Sequence, residues 1–411
     1  MTEAWIIDTC RTPRGVGKVG KGALAHLHPQ HLAATVLRAI AERNHIDTGD
    51  VDDIIWGTSS QVGKQGADMG RMAALDAGYD IRSSGVTLDR FCGSGITTVN
   101  MAAASIMSGM EDLVIAGGTE MMSYTGTVRG DGPMLMDRGN LRLRASHPQS
   151  HQGICADAIA TLEGITREDV DALALESQRR AAIAIGEGRF DRSIVPVHNE
   201  DGTLALDREE FPRPQTTAEA LAALKPSFEA LADVALDETG MTFRKLIQQK
   251  YAGLQFNHVH HAGNSSGVVD GAGAILLASP DYARKHGLTP RARIVAYANM
   301  GDCPTLMLNA PVPAARKALE KAGLTKDDID LWEINEAFAV VAEKFQRDLD
   351  LDREKVNVNG GAIALGHPIG ATGSLLIGTV IDELERRDLK RGLVTMCAAG
   401  GMAPAIIVER I

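Results

Sequence analysis

Apolar residues along this chain occur in two alternating arrangements. Residues 53–57 and 112–118 are short apolar runs bounded by turn-forming residues, which predicts buried β-strands. Residues 32–43 instead have the length and the apolar periodicity of an amphipathic helix. Because short strands alternate with helix-length stretches, the chain is predicted to adopt an α/β fold.

The second half of the chain repeats this order of elements. Residues 313–322 predict a helix, and residues 331–334 predict the strand that follows it. In the first half, residues 32–43 precede the strand that ends at Trp56 in the same way. Each half then continues with a glycine-rich turn, another helix and a strand that leads into small residues. The same elements in the same order predict duplicated halves.

Cys92 and His367 lie in the corresponding glycine-rich turns of these halves. Trp56 lies in the predicted strand before Cys92, and Trp332 lies in the predicted strand before His367. Nearly the same number of residues separates the two members of each pair. If the halves pack about a pseudo-twofold axis, Cys92 and His367 face one another at the starts of equivalent helices. The pattern therefore predicts one cleft that two distant reactive side chains share.

Residues 122–255 lack the repeated pattern and are rich in charged residues and proline. We interpret them as a lobe inserted into the first half, where it caps the cleft or holds a cofactor. The N-terminal half then spans residues 1–121 and is completed by about 256–280. The C-terminal half spans residues 281–411.

The overall charge disfavours two classes of partner. The chain has 411 residues, and its 53 acidic and 42 basic residues give a formal net charge of -11 without a long basic block. Nucleic acid and anionic membrane surfaces are therefore not expected as partners. The chain also shows no apolar run of membrane-spanning length and no signal-peptide pattern, which predicts a cytoplasmic protein.

The cysteines indicate neither a disulfide framework nor a metal site. They are odd in number, widely separated and never arranged in close pairs. They are Cys10, Cys92, Cys155, Cys303 and Cys397. In a reducing cytosol, a cysteine in a glycine-rich segment is a candidate nucleophile.

Cys92 begins the segment Cys-Gly-Ser-Gly, which precedes a helix-compatible run of small residues. The amide groups and the dipole at a helix N-terminus favour a thiolate, so Cys92 is predicted to be nucleophilic at neutral pH. The alternative is a buried core cysteine beside glycines that packing requires.

His367 lies among glycine and alanine residues, which leave room for a ligand, and histidine is the commonest general base. Cys397 follows an apolar run and is predicted to lie at the end of a strand, where its thiol can act as an acid or a base. Asn335 follows the Trp332 strand and can orient a water or an oxyanion. The structural alternatives are a packed histidine, a core cysteine and a helix cap.

Two other patterns are given little weight. Residues 15–22 approach the phosphate-binding loop pattern, but the last position is glycine and no strand–loop–helix setting follows. Residues 258–261 place two imidazoles on one face of a predicted strand without nearby carboxylates in the sequence. We therefore predict no metal site.

Together these segments resemble the thiolase family over nearly the whole chain. The matching segments occur in the family's order, and nine in order are far more specific than any one. They are residues 11–13 (RTP), 92–95 (CGSG), 117–123 (GGTEMMS), 188–190 (GRF), 224–226 (LKP), 262–267 (AGNSSG), 335–338 (NEAF), 366–368 (GHP) and Cys397.

The resemblance implies a fold of two duplicated βαβαβαββ halves in a five-layered αβαβα sandwich with an inserted loop domain. It implies an acyl-CoA acyltransferase that cleaves a 3-ketoacyl-CoA with CoA, or condenses two acetyl-CoA, through an acyl-enzyme on Cys92. Coenzyme A and acyl-CoA are then substrates, and no permanently bound cofactor is expected. Dimers or tetramers of the chain, and other β-oxidation enzymes as partners, are also implied.

By the same resemblance, Cys397 protonates the acetyl-CoA carbanion or removes the corresponding proton. His367 activates Cys92 and then the CoA thiol, and with a water held by Asn335 it polarises a thioester oxygen. Backbone N–H groups near Cys92 and Ala399 receive the other oxyanion.

The family resemblance also implies contacts with CoA for Ser266, Arg213 and His151. The substrate pocket is expected to include Gln152, Met307, Leu308 and Ala399. Of these, Gln152, Leu308 and Ala399 depart from the family pattern. A longer segment between Phe228 and His261 also suggests a different lid over the acyl chain.

Two alternatives remain. One is a related condensing enzyme, such as a ketoacyl synthase or a hydroxymethylglutaryl-CoA synthase, although Cys397 and the segment that begins at Asn335 favour a thiolase. The other is a non-catalytic, thiolase-like protein that binds acyl-CoA.

Overall fold

The computed structural model describes residues 3–128 and 135–411. The first half begins with alternating strands and helices. These elements are β1 (Trp5–Arg11), β2 (Gly15–Val16), α1 (Pro29–Asn44), β3 (Asp53–Gly57), α2 (Met69–Asp76), β4 (Val86–Leu88), α3 (Ser94–Ser108) and β5 (Leu113–Met121).

A mainly helical segment follows β5. Its elements are α4 (Met122–Val128), α5 (Leu141–Ser146), α6 (Gln152–Glu163), α7 (Arg167–Gly186), β6 (Val197–His198), β7 (Leu204–Leu206), α8 (Ala218–Ala222), α9 (Glu229–Ala232) and α10 (Phe243–Gln248). Within it, β6 and β7 form a separate two-stranded sheet.

The remaining elements complete the first half and form the second. They are β8 (Val269–Ala278), α11 (Pro280–His286), β9 (Ala292–Gly301), α12 (Pro311–Ala322), β10 (Leu331–Ile334), α13 (Ala339–Leu349), α14 (Ala362–Leu365), α15 (Thr372–Arg386), β11 (Arg391–Thr395) and β12 (Met402–Arg410). The predicted helices at residues 32–43 and 313–322 and the predicted strands around Trp56 and Trp332 are confirmed.

The order of strands in the main sheet shows the duplication. It runs β10-β11-β12-β9-β1-β8-β5-β3-β4, with β2 also paired to β8. Outward from the β1–β9 junction, the first half has the antiparallel pairs β1–β8 and β8–β5 and then the parallel pair β5–β3. The second half has the antiparallel pairs β9–β12 and β12–β11 and then the parallel pair β11–β10. The junction itself consists of the pairs Trp5↔Arg293 and Ile6↔Ala292.

The two halves differ in their third strand. In the first half β4 pairs with β3, including the parallel pair Trp56↔Thr87. In the second half a single parallel bridge, Trp332↔Val356, occupies the corresponding position. The predicted βαβαβαββ order is therefore present in both halves, with one strand of the second reduced to a bridge.

Three hydrophobic cores separate the layers of the fold. Helices α3 and α15 contact each other and strands of both halves, and their apolar residues form the central core. Helices α1 and α2 cover the outer face of the first half, and α12 and α13 cover that of the second. This is the five-layered αβαβα arrangement that was expected.

Local sequence explains the ends of these helices. Pro29 begins α1 with the fixed φ that suits a first turn, and Gly323 ends α12 in the left-handed conformation at φ 65°. Leu32, Val36 and Ile40 then form a fully buried stripe along α1. Within the described ranges, no helix is long and apolar enough to cross a membrane.

Candidate active site

The predicted site residues lie at the ends of parallel strands and before the two central helices. Asn335 follows β10, and Cys397 lies just beyond β11, which is parallel to β10. Cys92 precedes α3, and His367 precedes α15. Carboxyl ends of parallel strands meet at one edge of a sheet, where α/β proteins gather their functional groups.

The turn that carries Cys92 is fixed by local hydrogen bonds. Asp89 Oδ1 accepts from the Phe91 N–H at 2.6 Å, and Ser94 Oγ accepts from the Arg90 N–H at 2.9 Å. Phe91 has φ 50°, a left-handed conformation that is unusual for a residue with a large side chain. This strained residue turns the chain immediately before the nucleophile.

The segments around Cys92 and Cys397 touch at Gly93. A Cβ atom at Gly93 would lie 2.8 Å from Pro404 Cδ and 3.4 Å from Ala398 Cβ. Glycine is therefore required for this approach, and it brings the residues that follow each cysteine into contact.

The central helices approach just as closely where they begin. A Cβ atom at Gly95 in α3 would lie 2.8 Å from the Gly373 backbone nitrogen in α15. The carbonyl oxygen of Gly370, which lies between His367 and α15, packs against two glycines of the first half. A Cβ atom added at Gly57 would lie 2.9 Å from this oxygen, and one added at Gly118 would lie 2.1 Å from it. The turn that carries His367 therefore packs directly on β3 and β5 of the other half.

The imidazole of His367 is buried and has a defined orientation. Its backbone N–H donates to the Gly267 carbonyl at 2.9 Å. Its Nδ1 lies 2.6 Å from Thr372 Oγ1, and that hydroxyl donates to the Pro368 carbonyl at 3.0 Å. The hydroxyl proton is thereby committed, so Thr372 accepts from Nδ1–H and Nε2 carries the lone pair. The Asn335 amide nitrogen lies 3.5 Å from Nε2, on the side from which an N–H can point at that lone pair.

The surroundings of His367 favour its neutral form. Burial and, to a smaller extent, the Arg14 guanidinium lower the pKa of His367 to about 4. Arg14 is itself buried and forms an ion pair with Glu209 at 2.8 Å. Arg11 forms a second ion pair with the same carboxylate at 2.7 Å. Burial alone would raise the pKa of Glu209, but the two arginines hold it at about 2. A neutral imidazole at neutral pH is ready to accept a proton.

The surroundings of Cys92 and Cys397 favour the protonated thiol. Burial raises the pKa of Cys92, and the nearby Cys397 and Glu120 raise it further. Burial raises the pKa of Cys397 to about 12. The sequence prediction that the helix N-terminus would make Cys92 a thiolate is therefore wrong, because the loss of solvent outweighs the amide groups of α3. A nucleophilic Cys92 would need a base, and the neutral His367 precedes α15, the helix that contacts α3.

Glu120 ties the His367 turn to the first half. Its Oε2 accepts from the backbone N–H groups of Ser59 at 2.8 Å and Gly370 at 3.0 Å, and its Oε1 accepts from the Gln65 amide at 2.8 Å. Burial raises the pKa of Glu120, whereas these hydrogen bonds lower it. The carboxylate links β5, the loop after β3 and the turn before α15.

Asn335 and Glu336 point in different directions. Glu336 accepts from Ser177 Oγ at 2.7 Å and Asn357 Nδ2 at 3.0 Å. These contacts fix α7 and the loop after α13 to the second half. Asn335 is buried beside His367, and its Oδ1 has no hydrogen-bond partner within residues 3–128 and 135–411.

Two of the predicted CoA-contacting residues share one surface. The half-buried Ser266 precedes Gly267, whose carbonyl binds the His367 backbone N–H. The ring of Phe211 packs against Gly267, and the exposed Arg213 lies over that ring at 5.6 Å from its centre. The structure therefore connects Arg213 to His367 through a continuous series of contacts.

The third such residue, His151, lies at the start of α6. Its Nδ1 caps that helix by accepting from the Gly153 N–H at 3.1 Å. Its ring centre lies 5.6 Å from that of Phe228, which in turn lies 5.8 Å from that of Phe338. His151 is thus part of an aromatic cluster that reaches the residues after Asn335.

The predicted pocket residues divide into buried and accessible ones. Met307 and Leu308 are buried in the outer core of the second half with α6, α12 and α13. Gln152 is exposed at the start of α6. Ala399 is half-buried in the turn after Cys397, and its N–H makes no backbone hydrogen bond within the described ranges. The left-handed positions of that turn are Gly400 and Gly401, so the Ala399 methyl group causes no backbone strain.

The histidines at residues 258–261 are not on a strand, contrary to the sequence prediction, and the fold supplies them with carboxylates. His258 and His260 each bind Asp157 at 2.7 Å, and His261 binds Asp171 at 2.8 Å. Asp157 lies on α6 and Asp171 on α7, far away in sequence. In the part of the chain that the structure describes, no group of residues is arranged to hold a metal ion.

Two residues that act on His367 were not predicted from the sequence. Thr372 lies five residues beyond His367, in a Gly-x-Thr-Gly segment whose threonine was a detectable signal. Arg14 follows the residue 11–13 segment, but nothing in the sequence indicates its approach to His367, because the two are joined only by the fold.

Comparison with known proteins places this geometry in a family. The N-terminal thiolase domain model matches residues 4–235, and the C-terminal thiolase domain model matches residues 288–410. An acetyl-CoA acetyltransferase of Escherichia coli K12 is 41% identical over 425 residues, which cover 100% of both chains. A 3-oxoadipyl-CoA/3-oxo-5,6-dehydrosuberyl-CoA thiolase of the same organism is 40% identical, also over 100% of both chains.

A solved structure gives the same result for the fold. The acetyl-CoA acetyltransferase of Bacillus anthracis superposes with a TM-score of 0.82 at 35% sequence identity, and the match covers 100% of this chain and 99% of the other. These findings favour a thiolase over both alternatives, the related condensing enzyme and the non-catalytic binding protein.

Proposed function

The chain belongs to the thiolase family and is an acyltransferase of that family, and from this premise we propose that Cys92, His367, Cys397 and Asn335 carry out its reaction. The observation that carries the proposal is the contact of their backbone segments. Gly93 meets Ala398, and Gly95 meets Gly373, so the turns that hold Cys92, Cys397 and His367 converge on one cleft.

In the first step, His367 Nε2 accepts the Cys92 thiol proton and the sulfur attacks the C3 carbonyl of a 3-ketoacyl-CoA. The C2–C3 bond then breaks, leaving an acyl thioester on Cys92 and a carbanion at C2 of acetyl-CoA. Cys397 gives its proton to that carbanion. The protonated state of Cys397, with a pKa near 12, suits it as this acid.

In the second step, the imidazolium passes its proton to the Cys397 thiolate, and a CoA thiol replaces acetyl-CoA and gives its proton to the neutral imidazole, which later returns it to the departing Cys92 sulfur. The CoA sulfur attacks the acyl-enzyme and releases an acyl-CoA and the Cys92 thiol. Asn335, whose Oδ1 is free within the described ranges, holds a water that polarises a thioester oxygen with His367. The Ala399 N–H, which is not used by backbone pairing, faces the other oxyanion.

The same proposal assigns the binding of CoA to Ser266, Arg213 and His151. Arg213 is the exposed cation at the end of the contacts that begin at His367, and it suits the CoA phosphates. We also propose a homo-oligomer, a role in β-oxidation and a cytoplasmic location. Five unpaired cysteines are typical of a reducing compartment.

The nucleophile is tested by Cys92→Ala. We expect CoA-dependent cleavage of acetoacetyl-CoA to fall by about 10⁴-fold or more, because no other group replaces the thiolate. Mass spectrometry should locate an acetyl group on the Cys92 peptide of the wild type and on no peptide of the variant. Cys10→Ala, which removes a thiol from the outer core, is the control for the loss of a cysteine. Appreciable turnover by a folded Cys92→Ala protein would refute the assignment.

A further inference from the structure

Polar side chains surround the turn that follows Cys397. The Gln149 Oε1 atom lies 3.9 Å from the position of a Cβ atom at Gly400, which is ordinary contact distance. Within residues 3–128 and 135–411, the Gln149 side chain takes part in no hydrogen bond, whereas the neighbouring Ser150 hydroxyl donates to the Phe243 carbonyl at 2.8 Å. A half-buried amide with an unused donor and acceptor thus lies over the catalytic turn.

A phenol and a thiol lie on the other side of the same turn. The Asp302 N–H donates to the Gly401 carbonyl at 2.7 Å, which holds the neighbouring Cys303 at the turn. The Tyr251 hydroxyl lies 3.6 Å from Cys303 Sγ. Burial and then Cys303 raise the pKa of Tyr251 to about 12, so its hydroxyl remains a donor at neutral pH.

One short element supports both sides of this polar rim, which consists of Gln149, Tyr251 and Cys303. Helix α10 begins at Phe243, which binds Ser150, and its residue Ile247 binds the Tyr251 N–H at 3.0 Å. The helix belongs to the long segment between Phe228 and His261, which the sequence marked as a departure from the family pattern.

We propose that the polar rim binds the far end of the acyl chain, and that the preferred substrates are 3-ketoacyl-CoAs whose acyl chain carries an oxygen group beyond C3. The inference rests on the proposed function, because an acyl chain that leaves C3 between Cys92 and Cys397 passes the turn at Ala398–Gly401. A methyl-ended chain would cover the Gln149 amide and the Tyr251 hydroxyl without replacing their hydrogen bonds to water. A carboxylate, carbonyl or hydroxyl oxygen can accept from the Gln149 amide or from the Tyr251 hydroxyl.

The test compares two six-carbon 3-ketoacyl-CoAs that differ only at the end of the chain, one with a carboxylate and one with a methyl group. We expect the wild type to cleave the carboxylate-ended substrate with a kcat/KM about tenfold higher. Gln149→Leu should remove most of this preference. Tyr251→Phe should reduce the logarithm of the kcat/KM ratio by about half. Gln255→Leu, an exposed position in the same segment, should not change it.

Cleavage of acetoacetyl-CoA separates this inference from the proposed function, because its short acyl group does not reach the rim. Unchanged acetoacetyl-CoA cleavage in Gln149→Leu, together with the lost preference, supports the rim. The inference is refuted, and the proposed function is not, if the wild type cleaves acetoacetyl-CoA but prefers the methyl-ended chain. The same holds if the Gln149→Leu variant keeps the full preference for the carboxylate-ended chain. A wild type that cleaves no 3-ketoacyl-CoA refutes the proposed function as well.

Discussion

Cys92 and His367 lie in equivalent turns of the two halves, but these turns are held differently. Only Gly93 separates Cys92 from α3, and the bonds that shape its turn come from Asp89 and Ser94, which are close in sequence. Residues 368–371 separate His367 from α15, and this longer turn is held by Glu120 and by close contacts with β3 and β5. The Cys92 turn is therefore shaped mainly within its own half, whereas the His367 turn is held by the other half.

This difference has a chemical consequence. The locally determined turn leaves Cys92 half-buried and reachable by a substrate, with a strained Phe91 before it. The longer turn buries His367 and lets Thr372 and Arg14 set its tautomer and its pKa. The duplicated halves provide two similar backbone positions, which the proposed reaction uses for a nucleophile and for a base.

Removing the second thiol should break the division of roles between the two cysteines. In Cys397→Ala we expect exchange of the C2 proton of acetyl-CoA to fall by about 100-fold or more, because the proposed mechanism assigns that proton to Cys397. Acylation of Cys92 by an activated thioester should continue, as judged by mass spectrometry. Retained proton exchange in Cys397→Ala would remove this residue from the acid–base role.

Weakening the tether of the His367 turn should lower stability. In Glu120→Gln, an amide N–H₂ group replaces a carboxylate oxygen that accepts hydrogen bonds. If it takes the place of Oε2, the backbone N–H groups of Ser59 and Gly370 lose their acceptor. We expect the free energy of unfolding in urea to fall by about 2 kcal/mol. Glu320→Gln, at an exposed position of α12, is the control and should change it by less than about 0.5 kcal/mol. Equal stability of Glu120→Gln and wild type would contradict the tether.

The Thr372 hydroxyl should matter through His367 rather than through the fold. In Thr372→Val we expect kcat/KM for acetoacetyl-CoA to fall by about tenfold, because Nδ1–H loses the acceptor that fixes the tautomer. Thr372→Ser should restore most of the activity. Thr379→Val removes a hydroxyl that bonds only to the α15 backbone and should have little effect. A Ser variant no better than the Val variant would argue against this positioning role.

The pH profile provides the smallest predicted change. A base whose pKa is about 4 is already neutral above that pH, so acidification from neutrality should leave it unprotonated until the pH approaches 4. We expect kcat/KM to vary by less than about twofold between about pH 7 and pH 6. Circular dichroism at each pH should verify that the protein stays folded. An acid limb centred near the ordinary histidine value of 6.5 would show that burial does not control this imidazole.

Much of this site was predictable because its chemistry is tied to local sequence. Cys92, His367 and Cys397 each lie among small residues that a purely packed side chain does not need, and the elements around Trp56 and Trp332 repeat in order. The prediction of a thiolate at Cys92 failed for a physical reason. The dipole of α3 is visible in the sequence, but the burial that opposes it arises only when the halves close over the cleft.

The α/β pattern, the duplication and the candidate reactive side chains could be read from the sequence, because periodicity and spacing encode them along the chain. Only the tertiary structure decided which groups meet. Arg14 reaches His367, Glu120 binds Gly370, and Gln149 lies over Gly400, and each pair is widely separated in sequence. Such contacts set burial, pKa and substrate fit, and they depend on how layers pack rather than on which residues are adjacent.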